Sequence, residues 1–251
     1  DDKDRVLIKT DGSYTYLTPD ISYHLNKLDR GFNKLVDLLG ADHHGYINRM
    51  KSALMMKGLQ QDTLSVEIIQ MVRIIKDGEE AKMSKRTGNA IKMRDLVSLV
   101  GIDSCRYFFV SRAASSHLDF DLDVAMSQSS SNPVYYAQYA HARICSVLKA
   151  STIIKNDKYE LLTEEVECSL MKCLSEYDKI IDGAASERAP YRICNYVQKL
   201  AGFVHEFYTK CRVLDEKNPE LTGARLSLIE ACSIVLRNAL SLIGVHAPEK
   251  M

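Results

Sequence analysis

A compact group of cationic and hydroxyl side chains occupies residues 82–86, which read Lys-Met-Ser-Lys-Arg. A lysine ammonium on a flexible stem can follow the negative charge that moves during phosphate displacement, and a serine hydroxyl can add a hydrogen-bond donor. Gly88, two residues later, lets the chain fold close to a ligand. The spacing therefore predicts a phosphate-handling loop, although a solvated basic loop has the same composition.

The surroundings of this group strengthen the prediction. The sequence contains neither a Walker loop nor a G-x-G-x-x-G fingerprint, so those routes to phosphate binding are excluded. Residues 66–75 (VEIIQMVRII) are rich in β-branched residues and predict one buried strand, closed by Asp77-Gly78. The basic group thus follows a strand, where loops of α/β domains bind ligands.

The net charge is zero, because 33 Lys and Arg balance 33 Asp and Glu among 251 residues. This balance excludes a polycation that binds nucleic acid through bulk charge alone. The distribution is uneven: residues 71–112 hold nine basic against five acidic side chains, whereas residues 126–251 are neutral. The local excess predicts an anionic ligand at one site, although ordinary surface lysines give the same counts.

Seven cysteines occur without a C-x-x-C pair, mostly on apolar faces of helical stretches. We therefore expect buried, reduced thiols of a cytoplasmic protein rather than disulfides or zinc ligands. The adjacent His43 and His44 lack a partner at ligand spacing, so no metal site is predicted. No run of 18 apolar residues occurs, which predicts no membrane-spanning helix.

The first half of the chain predicts alternating strands and helices. Residues 6–9 indicate a short strand, residues 19–39 a helix stopped by Gly40, and residues 45–58 a second helix. With the strand at 66–75, this order is typical of a parallel, doubly wound sheet.

The second half predicts helices only, with no convincing strand after residue 92. Long amphipathic helices joined by short loops form a bundle. The predicted fold class is therefore an α/β domain followed by an all-α domain. The predicted helices cover residues 93–100, 103–112, 122–150, 163–183, 189–213 and 222–243.

The motif at 82–86 resembles the second nucleotide-binding motif of the class I aminoacyl-tRNA synthetases. Because further stretches resemble the arginyl-tRNA synthetases of bacterial type in the right order, the likeness runs from end to end and far exceeds a lone KMSK match. These stretches are residues 11–28, 40–47, 132–144 and 244–251.

The resemblance implies a ligase of protein biosynthesis with three segments in this chain. Residues 1–92 are similar to the second half of a Rossmann-like class I catalytic domain, residues 93–125 to a helical linker that contacts the tRNA stem, and residues 126–251 to an all-α anticodon-binding domain. The implied reaction activates arginine with ATP to an adenylate and transfers it to the terminal ribose of arginine tRNA. ATP enters as a substrate with Mg²⁺, for which no dedicated protein site is implied. The resemblance implies neither a membrane partner nor a protein partner.

The resemblance also assigns roles in the catalytic half. Lys85 is the implied principal catalytic residue, with Lys82 and Ser84 stabilising charge on the pyrophosphate side. Tyr16 and Asp20 match the amino-acid pocket, in which a carboxylate pairs with the arginine guanidinium; a core aromatic and a first-turn residue are their ordinary alternatives. His43 belongs to the loop that meets adenosine or the amino acid. The implied ATP-binding residues are Met83, Arg86, Asp42 and His44.

The helical half carries the implied anticodon contacts. Tyr139 and Arg143 are expected one turn apart on a helix, as are Tyr208 and Arg212, and such a pair can stack an unpaired base and contact a phosphate together. Tyr135, Tyr136, Phe203 and Phe207 are expected to be packing residues. The implied anticodon-binding residues are Tyr139, Arg143, Tyr208, Arg212 and Met251.

Two parts of the family pattern are absent: the His-Ile-Gly-His type of nucleotide motif and the N-terminal module that contacts the tRNA elbow. Together with the acidic start at Asp1, this predicts the C-terminal part of a longer enzyme, inactive alone. Two alternatives stay open, another class I synthetase such as the cysteinyl type and a non-catalytic RNA-binding relative. The missing zinc cluster counts against the former, and the intact motif at 82–86 counts against the latter.

Overall fold

The computed structural model of the chain describes residues 4–81 and 91–251. The chain divides into two compact units. The first contains Asp1–Val72 and Ala114–Leu118, and the second contains Arg73–Ala113 and Asp119–Met251. The motif at 82–86 lies outside the described residues.

The first unit is built around one β-α-β arrangement. Strand β1 (Leu35–Gly40) and strand β2 (Leu64–Ile69) pair in parallel, with Leu35 opposite Leu64 and Gly40 opposite Ile69. A hydrophobic core forms where the helices cover this pair, and it includes Met50 and Leu54, which are almost fully buried. The elements are helix α1 (Leu17–Asp29), strand β1 (Leu35–Gly40), a 3-10 helix (Ala41–Tyr46), helix α2 (Ile47–Met55), a 3-10 turn (Gln61–Thr63) and strand β2 (Leu64–Ile69).

The predicted helix over 19–39 is wrong in its second half. Helix α1 ends at Asp29, and the chain turns at Gly31, whose φ of 92° is accessible to glycine at little cost. The apolar residues after this turn form β1 instead, and Gly40 is the last residue of that strand rather than a helix stop. The predicted strand at 6–9 is reduced to a single bridge between Ile8 and Tyr14.

The predicted single strand at 66–75 consists of two strands in different sheets. The chain leaves β2 after Ile69 and begins β3 at Val72. Asp77 and Gly78, with φ of 52° and 78°, form the two-residue turn of a hairpin. The expectation of no strand after residue 92 is also wrong. The second sheet has the order β4-β3-β5, with β3 at Val72–Lys76, β4 at Glu79–Glu80 and β5 at Leu118–Asp121.

The helices of the second unit confirm a bundle but are shorter than predicted in two places. The predicted helix over 122–150 is interrupted because Asn132 caps a new helix: its Oδ1 accepts from the backbone of Val134 and Tyr135. The predicted helix over 163–183 is divided at Glu176. The helices are α3 (Met93–Val100), α4 (Ile102–Val110), α5 (Leu122–Met126), α6 (Pro133–Ala150), α7 (Glu165–Ser175), α8 (Tyr177–Ser186), α9 (Tyr191–Lys210) and α10 (Pro219–Leu242), with a 3-10 turn at Tyr159–Leu161.

The bundle core lies between α6, α7, α9 and α10. Leu200, Val204 and Phe207 of α9 are fully buried, so the expectation for Phe207 is confirmed. A buried ion pair also lies in this core: Arg225 Nε is 2.7 Å from Glu167 Oε1, and Glu167 is fully inaccessible to solvent. The pair joins α7 to α10, and the loss of either partner would leave the other charge buried, which is costly.

The cysteines are all unpaired, and five of the seven are buried. Burial raises the pKa of the Cys194 thiol to about 12, which keeps it protonated at neutral pH. No helix in residues 4–81 and 91–251 is long and apolar enough to cross a membrane.

Candidate functional site

A cavity of about 560 Å³ opens in the first unit at the carboxyl end of β1. Its wall includes Tyr16, Asp20 and His43, which the sequence had assigned to amino-acid and adenosine contacts, together with Leu39 and Tyr46. Ligands of parallel α/β sheets bind beyond the carboxyl ends of the strands, so the cavity lies where the fold favours a site.

Asp20 is held at this cavity by a residue that the sequence did not single out. The Tyr46 hydroxyl donates to Asp20 Oδ2 at 2.6 Å. Burial, followed by the hydrogen bond and the charge of Asp20, raises the pKa of Tyr46 well above its usual range. The hydroxyl therefore remains a donor and keeps one carboxylate oxygen fixed. Tyr46 stands in the stretch 40–47 that carried the resemblance, but its partner is 26 residues away, so no local pattern indicated it.

Tyr16 precedes the first turn of α1 and is 92% exposed, so it is not a core aromatic. Asp20 lies in the first turn of the same helix, where the amino end of the helix dipole favours a negative charge. The one-turn spacing places both residues on the cavity wall.

His24 is a second residue that sequence reasoning missed, and it is buried behind the cavity wall. Its Nδ1 lies 2.7 Å from the Asp20 carbonyl oxygen, and its Nε2 lies 2.8 Å from Asp37 Oδ2. The ring therefore joins the first turns of α1 to β1. His24 lies three residues after Ile21 and four before Leu28, on the apolar side of α1, and this position is the signal that could have found it.

The other two predicted residues of this loop, Asp42 and His44, are exposed on the 3-10 helix and are not among the cavity-lining residues. Asp42 Oδ1 lies 3.7 Å from His43 Nε2. A Cβ at Gly40 would lie 2.9 Å from Asp42 Oδ1, the exposed end of a side chain that can move away. Among the described residues, no group of three or more His, Cys, Asp or Glu is placed to hold a metal ion.

Lys82, Met83, Ser84, Lys85 and Arg86 lie outside the described residues, and their roles stay predictions. The hairpin that precedes them is described. Arg73 forms a bidentate pair with Asp119, with nitrogen–oxygen distances of 2.7 and 2.8 Å. Asp123 Oδ2 accepts from the Asp77 backbone at 2.7 Å. Two carboxylates after residue 118 therefore fix this hairpin on β5 and α5.

The predicted anticodon residues of α6 and α9 form contacts across the two helices rather than along each one. The Arg143 guanidinium lies 4.2 Å from the centre of the Tyr208 ring. Tyr139 is near-parallel to the ring of His205, with centroids 5.8 Å apart and 17° between the planes. The Tyr135 ring is also near-parallel to the Tyr139 ring, with centroids 6.0 Å apart and 6° between the planes.

The expectation that Tyr208 and Arg212 lie one turn apart on a helix is wrong. Helix α9 ends at Lys210, and Arg212 follows in an extended segment where its Nε donates to the Leu214 carbonyl at 3.0 Å. Tyr135, which was expected only to pack, also lines a cavity of about 660 Å³ together with Met251. Tyr135 thus connects the cavity beside Met251 with the Tyr139 ring.

The segment before Met251 is held by side chains of α4 and α6. Asp103 Oδ1 accepts from the His246 backbone at 3.2 Å and lies 2.8 Å from His246 Nδ1. Gln138 Nε2 donates to the His246 carbonyl, and His141 Nδ1 lies 2.9 Å from the Pro248 carbonyl. These bonds fix the path of the chain that ends at Met251.

Comparisons with known proteins agree with this architecture. The family model of the DALR anticodon binding domain matches residues 137–251. Arginine–tRNA ligase of Bacillus licheniformis is 56% identical over 256 aligned residues, and that of Bacillus subtilis is 54% identical. Each match covers 100% of this chain and 46% of the relative. The chain therefore spans about half the length of these curated relatives.

Solved structures give the same result. A structure from Campylobacter jejuni that was assigned as an arginyl-tRNA synthetase aligns with a TM-score of 0.88 and 37% identity, over 100% of this chain and 55% of the other. The arginyl-tRNA synthetase of Thermus thermophilus aligns with a TM-score of 0.81 over 98% of this chain and 51% of the other, but at 20% identity it supports the fold alone.

By its fold and by these matches, the chain is similar to part of a class I aminoacyl-tRNA synthetase, in which an α/β catalytic domain precedes a DALR bundle. Within that class, the resemblance read from the sequence is confirmed. The chain corresponds over its whole length to the C-terminal part of an arginyl-tRNA synthetase.

Proposed function

We propose that this chain serves an enzyme that attaches arginine to its tRNA, first as the ATP-dependent adenylate and then on the terminal ribose. In this proposal the first unit supplies the arginine side of the catalytic pocket, and the bundle binds the anticodon. The observation that carries the proposal is the cavity that joins Tyr16 and Asp20 beyond the carboxyl end of β1. We further propose the segments 1–92, 93–125 and 126–251 as its functional divisions and the cytoplasm as its location.

Asp20 is the proposed anchor for the arginine side chain. Tyr46 occupies one direction at Oδ2, and an ionised carboxylate has about four lone-pair sites in all. A guanidinium can approach such a carboxylate with two parallel N–H donors, which a lysine ammonium cannot reproduce. The exposed ring of Tyr16 then covers one side of the bound side chain, because Tyr16 lies one turn before Asp20 on the same wall.

The phosphate chemistry is proposed for the loop after the β3–β4 hairpin. Lys85, with Lys82 and Ser84, would stabilise the charge that develops on pyrophosphate as the arginine carboxylate displaces it. Mg²⁺ would enter with ATP, on whose phosphates it neutralises charge. The proposed ATP contacts are Met83, Arg86, Asp42 and His44.

The anticodon contacts are proposed for one end of the bundle. Tyr139 is 43% exposed, its ring has the near-parallel rings of Tyr135 and His205 as neighbours, and the Arg143 guanidinium lies over the Tyr208 ring. Unpaired RNA bases stack on such rings while arginine contacts the backbone. Arg212 and Met251 complete the proposed set from neighbouring segments.

The proposal is tested by completing the enzyme. In a chimera, the chain replaces the corresponding 46% of the Bacillus subtilis relative, to which it is 54% identical. Arginine-dependent ATP–pyrophosphate exchange and tRNA charging are then measured on the chimera. We expect charging with arginine, and we expect Asp20→Asn to raise KM for arginine at least tenfold while KM for ATP changes little, since only the guanidinium contact is weakened. The surface variant Lys34→Ala is the matched control. A folded chimera that binds arginine tRNA but does not charge it would contradict the catalytic part of the proposal.

A further inference from the structure

His205 is a residue of α9 to which the family resemblance assigns no role. Its ring lies against two tyrosines of α6: the centroid of Tyr136 is 4.4 Å away at 47°, and that of Tyr139 is 5.8 Å away at 17°. Tyr139 is 43% exposed, and His205 is only partly buried. The two near-parallel rings therefore stand where the proposed anticodon surface opens to solvent.

One nitrogen of the His205 ring is already used. Nε2 lies 3.2 Å from the Tyr136 carbonyl oxygen, which can only accept, so Nε2 carries the hydrogen of this bond. In a neutral imidazole the other nitrogen, Nδ1, is then a lone-pair acceptor. No described residue donates to Nδ1. The bond to the Tyr136 carbonyl thus fixes the tautomer, in which Nδ1 is the acceptor.

The surroundings keep this ring neutral at physiological pH. Burial lowers the pKa of His205, and the nearby Arg143 guanidinium lowers it further, against the opposing effect of the Tyr136 carbonyl. The acceptor at Nδ1 is therefore present under the conditions in which tRNA binds. The groups that face the ring are Tyr136, Tyr139 and Arg143 from α6, with Tyr208 on its own helix beside Arg143.

We propose that His205 is a specificity-determining residue that accepts a hydrogen bond, through Nδ1, from the exocyclic amino group of a nucleobase stacked beside Tyr139. This rests on the proposed anticodon function of the bundle and names the chemistry that it selects. Cytosine, adenine and guanine carry an exocyclic amine, whereas uracil does not. Unpaired RNA bases are bound by stacking on aromatic rings or on arginine guanidinium planes and by hydrogen bonds to their edges.

The experiment uses the whole 251-residue chain and fluorescently labelled RNA hairpins that carry the anticodon stem and loop of an arginine tRNA. In a series of hairpins, each loop base that bears an amine is changed singly to uracil, and binding is measured by anisotropy at pH 7.5. At one loop position we expect the change to weaken binding about tenfold, the effect of one good base contact. His205→Phe keeps an aromatic ring but lacks the acceptor. This variant should therefore bind the hairpin with the original base at that position and the hairpin with uracil there equally well. His205→Gln can still donate to the Tyr136 carbonyl and offer an oxygen acceptor, so it should retain most of the discrimination.

The outcomes distinguish a failure of base reading by His205 from a failure of the proposed anticodon function. If His205→Phe still distinguishes every hairpin pair as the wild type does, while its melting temperature shows it to be folded, then His205 does not read the base. If Tyr139→Leu weakens all hairpins and His205→Phe changes only the discrimination at one position, both stacking and reading are supported. If the wild-type chain binds no arginine hairpin better than one with a scrambled loop, the anticodon function itself is contradicted.

Discussion

The guanidinium of Arg143 covers the ring of Tyr208 at 4.2 Å and joins α6 to α9 at the end of the bundle that carries the proposed anticodon residues. The Tyr208 hydroxyl, in contrast, is buried and has no hydrogen-bond partner among the described residues. Burial raises the pKa of Tyr208 well above its usual range, so the unpaired group stays a neutral phenol. The ring of Tyr208 thus contributes to the contact, while its hydroxyl carries an unmet desolvation cost.

We therefore expect Tyr208→Phe to stabilise the chain by about 1 kcal/mol, because it removes an unpaired buried hydroxyl and keeps the ring under Arg143. Urea unfolding followed by circular dichroism measures the change. Tyr107→Phe is the matched control: the Tyr107 hydroxyl donates to the Cys194 carbonyl and accepts from Gln198, so its removal should destabilise by about 1–2 kcal/mol. Equal losses in the two variants would show that the Tyr208 hydroxyl has a partner.

The buried pair between Glu167 and Arg225 predicts a strong asymmetry between single and double variants. Arg225→Met leaves the inaccessible Glu167 carboxylate without its cationic partner, although the Glu164 backbone still donates to it, and also removes the bond from Nη1 to the Arg212 carbonyl. We expect a loss of about 3–5 kcal/mol. The double variant with Glu167→Met should be considerably more stable than Arg225→Met, since no charge remains buried.

Lys210→Ala provides the reference for a surface pair, because Lys210 and Glu206 are both about half exposed. It should change stability by less than about 0.5 kcal/mol. Thermal unfolding of all four proteins at one pH gives the comparison. A double variant as unstable as Arg225→Met would indicate that packing, rather than the uncompensated charge, dominates.

Stability should decline on mild acidification partly because of His205. The folded-state pKa of His205 is lowered, mainly by burial, so the unfolded chain binds the proton more readily. The contribution of His205 to the free energy of unfolding is fully present above about pH 6.5, the pKa of histidine in the unfolded chain. It is lost as the pH falls from there toward the lowered pKa of His205 in the folded protein. Urea midpoints at pH 7.5 and 5.5 for wild type and His205→Phe test this, and the variant should show the smaller decline. An identical decline in both proteins would assign the effect to other groups.

Substitution of Lys85 tests the proposed catalytic role of the loop after the β3–β4 hairpin. In the completed enzyme, Lys85→Ala should slow arginine activation by several orders of magnitude and leave tRNA affinity nearly unchanged, because the loss falls on charge developed during displacement. Pyrophosphate exchange and RNA binding are measured on the same preparation. Exchange at the wild-type rate would remove Lys85 from its proposed role.

The sequence predicted the parts of the fold that depend on local pattern. Helices α3 and α4 were placed on either side of Gly101, and the helical bundle was expected from apolar periodicity. The wrong predictions fall where one hydrophobic pattern continues across the boundary between two elements. Apolar spacing continued through Gly31, whose positive φ ends α1, and β-branched residues continued from β2 into β3 although the two strands belong to different sheets.

The candidate sites were predictable only where a motif or a short spacing carried the signal. Tyr16 and Asp20 are four residues apart and line one cavity, as their spacing on a helix permits. Tyr46 and His205 could not be found in this way, because their partners Asp20 and Tyr136 are 26 and 69 residues away. Such contacts arise from packing, which a single sequence does not reveal.

The bonds between Asp103 and His246 span 143 residues, and those between Gln138 and His246 span 108. Contacts of such high sequence separation are entropically costly to close, so α4 and α6 must already be packed before the last segment can dock. The segment that carries Met251 should therefore be among the last parts of the bundle to become ordered during folding.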